Sequence, residues 1–174
     1  MTAAEPHSIA NRDRWKVRRV AFDYEGAHVT PKSWHPAEPE FARLVEALSV
    51  SMPYLEPYLI QTMREVKADL DDPVLVREVD LYIGQESAHF RQHQKLNDEI
   101  AKTTSHSRPL EAVFQADYKA FRETRSKAFH LAYAEGFEAL TMAIAQTLVE
   151  DRVRLWGGAS AAPVSMILWH MVEE

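Results

Sequence analysis

The chain contains no cysteine. Disulfides, thiolate-bound zinc, iron–sulfur clusters and cysteine nucleophiles are therefore excluded, and any metal has to be held by carboxylate oxygen and imidazole nitrogen. Glycine is scarce, with five residues at positions 26, 84, 136, 157 and 158, so neither a GxGxxG nor a GxxxxGK phosphate loop can be written. No apolar run reaches the roughly 18 residues that span a bilayer, and the polar first residues lack the hydrophobic stretch of a signal peptide, which predicts a cytoplasmic protein. No Ser/His/Asp set carries the local signature of a serine hydrolase.

What is present is the composition of one folded domain: 174 residues, 46% apolar and 26% charged. The formal charge of −6 is uneven, because residues 1–35 hold six Lys/Arg against four Asp/Glu and the remainder holds fourteen against twenty-two. An acidic body repels nucleic acid and anionic lipid, so neither is an expected partner. The basic residues Arg12, Arg14, Lys16, Arg18 and Arg19 around Trp15 are expected to dock on that body instead.

Residues 1–35 mix proline, histidine, charge and isolated aromatics, with a short strand-like alternation over 17–24, and read as an extended arm; residues 36–174 read as a helical domain. From Glu38, Phe41, Leu44, Val45 and Leu48 recur at intervals of three and four residues. Pro53 and Pro57 predict a break near 51–53 and a second helix running to Leu70. In the turn Asp71-Asp72-Pro73, Asp72 caps the next helix and Pro73 takes its first position, and the helix extends toward Ile100. A polar loop is expected over 103–109 and one bent helix or two consecutive helices over 110–153. Trp156-Gly157-Gly158 stops that segment, and a buried last helix over 164–174 carries Met166, Ile167, Leu168 and Met171.

Glu86, His89 and His93 fall at i, i+3 and i+7, within about 60° of arc on one helix face. Glu-x-x-His on a helix is half of the di-metal carboxylate pattern, in which two other helices each add a Glu. Glu56 lies 15 residues before Asp71 and Glu86 lies 15 after it, so a hairpin turning there brings both carboxylates to one height. Glu138 and Glu174 have their midpoint at residue 156, in the second turn. Gly84 and Gly136 each precede a candidate Glu by two residues and could admit a close neighbouring helix or simply pack as ordinary helix residues.

With these residues in order, the chain resembles the bacterial predicted metal-dependent hydrolases, whose helical bundle is of the ferritin-like kind. The resemblance rests on Val17-Arg18-Arg19 with Phe22-Asp23-Tyr24, on Trp34, on Ala47-Leu48-Ser49, and on Met52-Pro53 leading to Glu56, then Asp72-Pro73. Its sharpest part is Tyr82-Ile83-Gly84-Gln85-Glu86-Ser87-Ala88-His89 with His93 and Asn97 beyond, followed by Glu138-Ala139-Leu140-Thr141 and Trp169-His170-Met171-Val172-Glu173-Glu174. It implies an all-α, ferritin-like four-helix bundle with Glu56, Glu86, His89, Glu138 and Glu174 as metal ligands. The family pattern has Gly where this chain has Leu55, no Pro57, His where it has Ala139, and a further His at position 177, so the resemblance implies a last helix truncated inside its metal motif.

Four facing carboxylates call for about four balancing positive charges, which two divalent cations supply; oxygen and imidazole ligands favour iron, with manganese or zinc as alternatives. His93 is expected beside the ligands as a proton carrier. His170, four residues before Glu174 on the same face, could substitute for the absent histidine ligand but is expected rather as a core histidine bonded to a backbone carbonyl. Glu135, three residues from Glu138, could bridge but is expected on a solvated face. Two functions follow: an enzyme that oxidises, oxygenates or hydrolyses a small apolar substrate, or a non-catalytic bundle with a degenerate site that acts in oligomer or partner binding. A homo-oligomer fits either.

Overall fold

The computed structural model describes residues 16–24, 33–102 and 107–174. Arg12, Arg14, Trp15, most of the expected arm and the first part of the expected 103–109 loop lie outside the described residues. The described chain is all-α, with six helices: α1 (Pro39–Lys67), α2 (Pro73–Ala101), α3 (Ser107–Thr124), α4 (Lys127–Glu150), α5 (Arg152–Leu155) and α6 (Ala161–Glu173). The strand-like alternation over 17–24 forms no strand, and residues 16–24 have no regular secondary structure.

The break expected at 51–53 does not occur. Helix α1 runs unbroken for 29 residues with Pro53 and Pro57 inside it. Proline has no N–H, so Pro53 leaves the carbonyl of Ser49 without its helical donor. Asn97 of α2 supplies one, its Nδ2 donating to Ser49 O at 2.9 Å. Leaving such a buried carbonyl unpaired would cost about 1–3 kcal/mol, so the neighbouring helix makes the continuous one tenable.

The other boundaries follow local signals. The side chain of Asp72 accepts from Val74 N at 2.8 Å, with Pro73 at the first position of α2. Between 110 and 150 there are two helices, because Ser126 starts α4 as an N-cap, accepting from Phe129 N at 3.2 Å, and the short α5 follows from Arg152. Helix α3 begins at Ser107, inside the expected loop, and α6 begins at Ala161, ahead of Pro163.

Helices α1 and α2 form one hairpin, and α4 and α6 form a second through α5 and a turn in which Gly158 takes φ 81°. The hairpins meet through contacts of α1 with α4 and of α2 with α6, while α3 lies on α1. One apolar cluster gathers Trp34, Val45, Leu96, Ile100, Trp156, Met166 and Ile167; a second gathers Met52, Leu55, Tyr58, Leu59 and Ala134. Leu44 and Leu48, part of the stripe that marked α1 as helical, are 58% and 40% exposed. The inward face runs instead through Ala42, Val45, Ser49, Met52 and Glu56. Leu168 and Met171 are half-buried rather than fully buried.

The described part of the arm packs against α2 and α6. Arg18 pairs with Glu173 at 2.7 Å, Phe22 N donates to Gln92 Oε1 at 3.4 Å, and the Phe22 ring lies 5.6 Å from that of Trp169. This contact decides the two glycines. A Cβ on Gly84 would meet Val17 Cγ2 at 2.7 Å, so the close neighbour there is the arm and not a helix; at Gly136 there is nothing within 4 Å. Gly136→Ala is therefore expected to raise stability by about 1 kcal/mol, the ordinary gain in a helix interior. Gly84→Ala should lose that gain to the stiff valine, and regain it in a Val17→Ala background. Urea denaturation of the single and double variants measures both.

Candidate metal centre

Each hairpin brings its glutamate pair together, as equal distance from the turns predicts. Glu56 on α1 meets Glu86 and His89 on α2, and Glu86 meets Glu138 on α4 and Glu174 at the end of α6, ligand atoms within each group lying within 4.8 Å of one another. His170 joins them, grouped with His89 and Glu174 on one side and with Glu56 and His93 on the other. All five expected ligands thus belong to one connected cluster. Glu56, Glu86, His89, His93 and His170 are fully buried, whereas Glu138 and Glu174 are half-buried.

The ion-pair contacts of these carboxylates are with histidines. His89 Nδ1 lies 3.6 Å from both Glu86 and Glu174, and His170 Nε2 lies 2.8 Å from Glu174 and 3.9 Å from Glu56. Loss of water, then repulsion from the neighbouring carboxylates, raises Glu56 and Glu86 well above the usual range. Burial, with Glu174 beside it, pushes Glu138 up to about 8. Burial also acts upward on Glu174, but its hydrogen bonds with His170 and Glu138 bring it below its ordinary value. Burial, followed by the facing His170, pushes His89 down to about 3 and His93 well below its usual range. Glu56, Glu86 and Glu138 therefore favour their protonated form while His89 and His93 favour the neutral one, so that metal binding here would exchange protons for cations.

Five atoms carry the fit to a metal. Both oxygens of Glu56, Oε1 of Glu86 and both ring nitrogens of His89 are buried and have no hydrogen-bond partner. Buried polar atoms almost always find partners, and five orphans converging from two helices form a donor set awaiting an electrophile. Oxygen and imidazole without sulfur suit iron, manganese or zinc.

The surroundings hold that set in place. Tyr82 donates its hydroxyl to Glu138 Oε1 at 2.5 Å, and burial keeps this phenol protonated. The Trp169 ring stands edge-on to His89, their centroids 4.9 Å apart, and Gln85 Nε2 donates to Glu173 O at 2.7 Å. Glu135 is exposed, as its helix position suggested. Two expectations change. His170 is bonded to side chains, His93 and Glu174, rather than to a backbone carbonyl. His93 has both nitrogens engaged, Nδ1 with Ser49 at 2.8 Å and Nε2 with His170 at 2.6 Å, which leaves no lone pair for a substrate. Tyr82, Ser49 and Asn97 were not singled out as part of the site; their signals were their place in the segments that carry the resemblance and their helical spacing from Glu86, Met52 and His93.

These shifts set a pH dependence for the metal-free protein. Glu138 holds its proton up to about pH 8 when folded, against an ordinary value of 4.5, so the unfolded chain binds fewer protons across that window and stability falls as pH rises through it. His89 acts oppositely between about 3 and 6.5, where the unfolded chain binds more protons and stability rises with pH. Above pH 6.5 the carboxyl contribution alone remains. Metal-free protein is therefore expected to lose about 1–2 kcal/mol between about pH 6.5 and 8. Saturating divalent metal, by replacing the protons, should abolish the loss; urea denaturation at each pH with and without metal measures it.

Among curated proteins and among solved structures, none matches the chain significantly. The family described as predicted metal-dependent hydrolases matches residues 16–174, nearly the whole length, and the chain belongs to it.

Proposed function

We propose that the protein is a metal-dependent enzyme with a dinuclear centre in a ferritin-like arrangement of helices, held by Glu56, Glu86, His89, Glu138 and Glu174. The observation that carries this reading is the set of five buried, unpartnered donor atoms on Glu56, Glu86 and His89. Two divalent cations bound there would offset the four carboxylates and supply Lewis acidity or, as iron, the electrons for dioxygen chemistry.

The protein's own groups prepare that chemistry. Tyr82 holds Glu138 by its hydroxyl, and Trp169 screens His89 from the arm side. The side chain of Glu174 is only 6% exposed, which makes Glu138 the carboxylate nearest solvent. Next to it on α4, Ala139, Leu140 and Met142 are exposed, and this apolar approach supports a small apolar substrate. The burial of the centre favours oxidation with dioxygen, itself small and apolar. Hydrolysis is the second reading, favoured by the description of the family to which residues 16–174 belong. Assignment of the protein to the cytoplasm and to a homo-oligomer stays with this proposal; among the described residues no helix is long and apolar enough to cross a membrane.

The test is metal content. Protein stripped by chelation and reloaded with ferrous iron without oxygen should hold about two metals per chain, and Glu86→Ala should hold less than half as much. Wild-type protein that binds none would leave only a bundle acting through its surfaces. Oxygen uptake on exposing the ferrous protein to air separates oxidation from hydrolysis, which would show instead as ester or amide cleavage by the manganese- or zinc-loaded form.

A further inference from the structure

The proline inside α1 leads to a defined order of protons at the site. Because Pro53 has no N–H, the Ser49 carbonyl takes its hydrogen bond from Asn97 Nδ2. That donation leaves the other end of the amide, Asn97 Oδ1, facing Ser49 Oγ at 2.7 Å. An amide oxygen only accepts, so the single hydroxyl proton of Ser49 is committed to Asn97. Ser49 Oγ then has only lone pairs to offer His93 Nδ1 at 2.8 Å, and Nδ1 must carry the proton. In neutral His93 the other nitrogen, Nε2, is an acceptor, and its 2.6 Å contact with His170 Nδ1 places a proton on His170 Nδ1. His170 is left with the Nε2 lone pair, 2.8 Å from Glu174 Oε1 and 3.9 Å from Glu56 Oε1. A lone pair and a carboxylate oxygen approach that closely only around a shared cation, a proton in the metal-free protein or a metal ion in the loaded one.

All four members of this chain are buried, at 1–2% exposure, so no water competes for their protons. We infer that Asn97, Ser49 and His93, anchored on the carbonyl that Pro53 leaves free, are positioning residues that hold His170 as its Nδ1–H tautomer and aim Nε2 into the cluster as a sixth metal ligand. The use of that lone pair rests on the metal reading above; the proton order does not. A chain of hydrogen bonds serving only to fill the core would satisfy the same atoms without being needed for metal affinity.

Nitrogen-15 NMR of histidine-labelled full-length protein reads the tautomers, with zinc as a diamagnetic probe. Wild-type protein is expected to show His93 protonated on Nδ1 in the metal-free and zinc-loaded forms, and His170 protonated on Nδ1 in the zinc-loaded form. Asn97→Ala frees the Ser49 hydroxyl to donate to His93 Nδ1. The His93 proton then moves to Nε2 and occupies the Nδ1 lone pair of His170, so that Nε2 of His170 becomes protonated. Zinc affinity should fall on the order of 10–100-fold, the usual effect of removing a partner behind a ligand. Ser49→Ala, which deletes one hydroxyl and is the milder change to folding, removes the acceptor for His93 Nδ1–H without supplying a donor. It should therefore leave both His93 tautomers populated and lower zinc affinity by a smaller factor, with circular dichroism confirming the helices. Wild-type His93 protonated on Nε2, or a folded Ser49→Ala protein with unchanged tautomers and zinc affinity, would overturn the inference. Tautomers that move as expected in a protein that binds no zinc would uphold the proton order and sink the metal reading alone.

Discussion

Four carboxylates converge in the interior of this protein, and that crowding is the constraint to which the rest of the structure answers. Each has lost water and each repels the others, so the cluster is tolerable as protonated acids or around cations, and not as bare charge. No single helix can make such a site. The two hairpins make it jointly, since α1 with α2 and α4 with α6 each place a pair of glutamates at matching distance from a turn. The turns are therefore part of the site: Asp72 capping α2 and Gly158 at positive φ set the heights at which the carboxylates meet.

The same constraint explains features that otherwise look like defects. Prolines within a helix, apolar side chains facing water and polar ones facing inward all run against stability. In α1 they occur together: Pro53 opens a carbonyl, Asn97 closes it, and the inward face is turned so that Ser49 and Glu56 are inside while Leu44 and Leu48 are out. Stability comes instead from the apolar clusters on either side, with Trp34, Trp156, Leu96 and Met166 in one and Leu55, Tyr58 and Leu59 in the other. The arm adds the Arg18–Glu173 pair and the Phe22–Trp169 contact, which hold α6 where Glu174, just past its end, reaches the cluster.

Much of the site was legible because helical geometry is regular. Glu86 and His89 share a face at any 3.6-residue repeat, and equal spacing from the turn signals placed Glu56 opposite Glu86 and Glu138 near Glu174. What was not legible depended on groups far apart in sequence. Pro53 predicts a broken helix because its remedy is an asparagine 44 residues away, beyond the reach of any local rule. The apolar spacing of Leu44 and Leu48 indicates a helix but not its rotation, which buried polar residues on the adjacent face decided. Gly84 was recognisable as a close-approach position, yet only the folded chain identifies Val17 as the group that approaches.

By itself the sequence determined the class of fold, the positions of the two hairpin turns at 71–73 and 156–158 and the identity of the acidic and imidazole residues available to one helix face, because these depend on local periodicity, capping and composition. The tertiary structure alone decided how those side chains are wired: that His170 sits between His93 and Glu174, that Tyr82 holds Glu138, and that both nitrogens of His89 lack a partner. Hydrogen bonds between helices depend on relative rotation and depth, and these are set by the packing of whole helices against one another, which no stretch of the chain encodes alone.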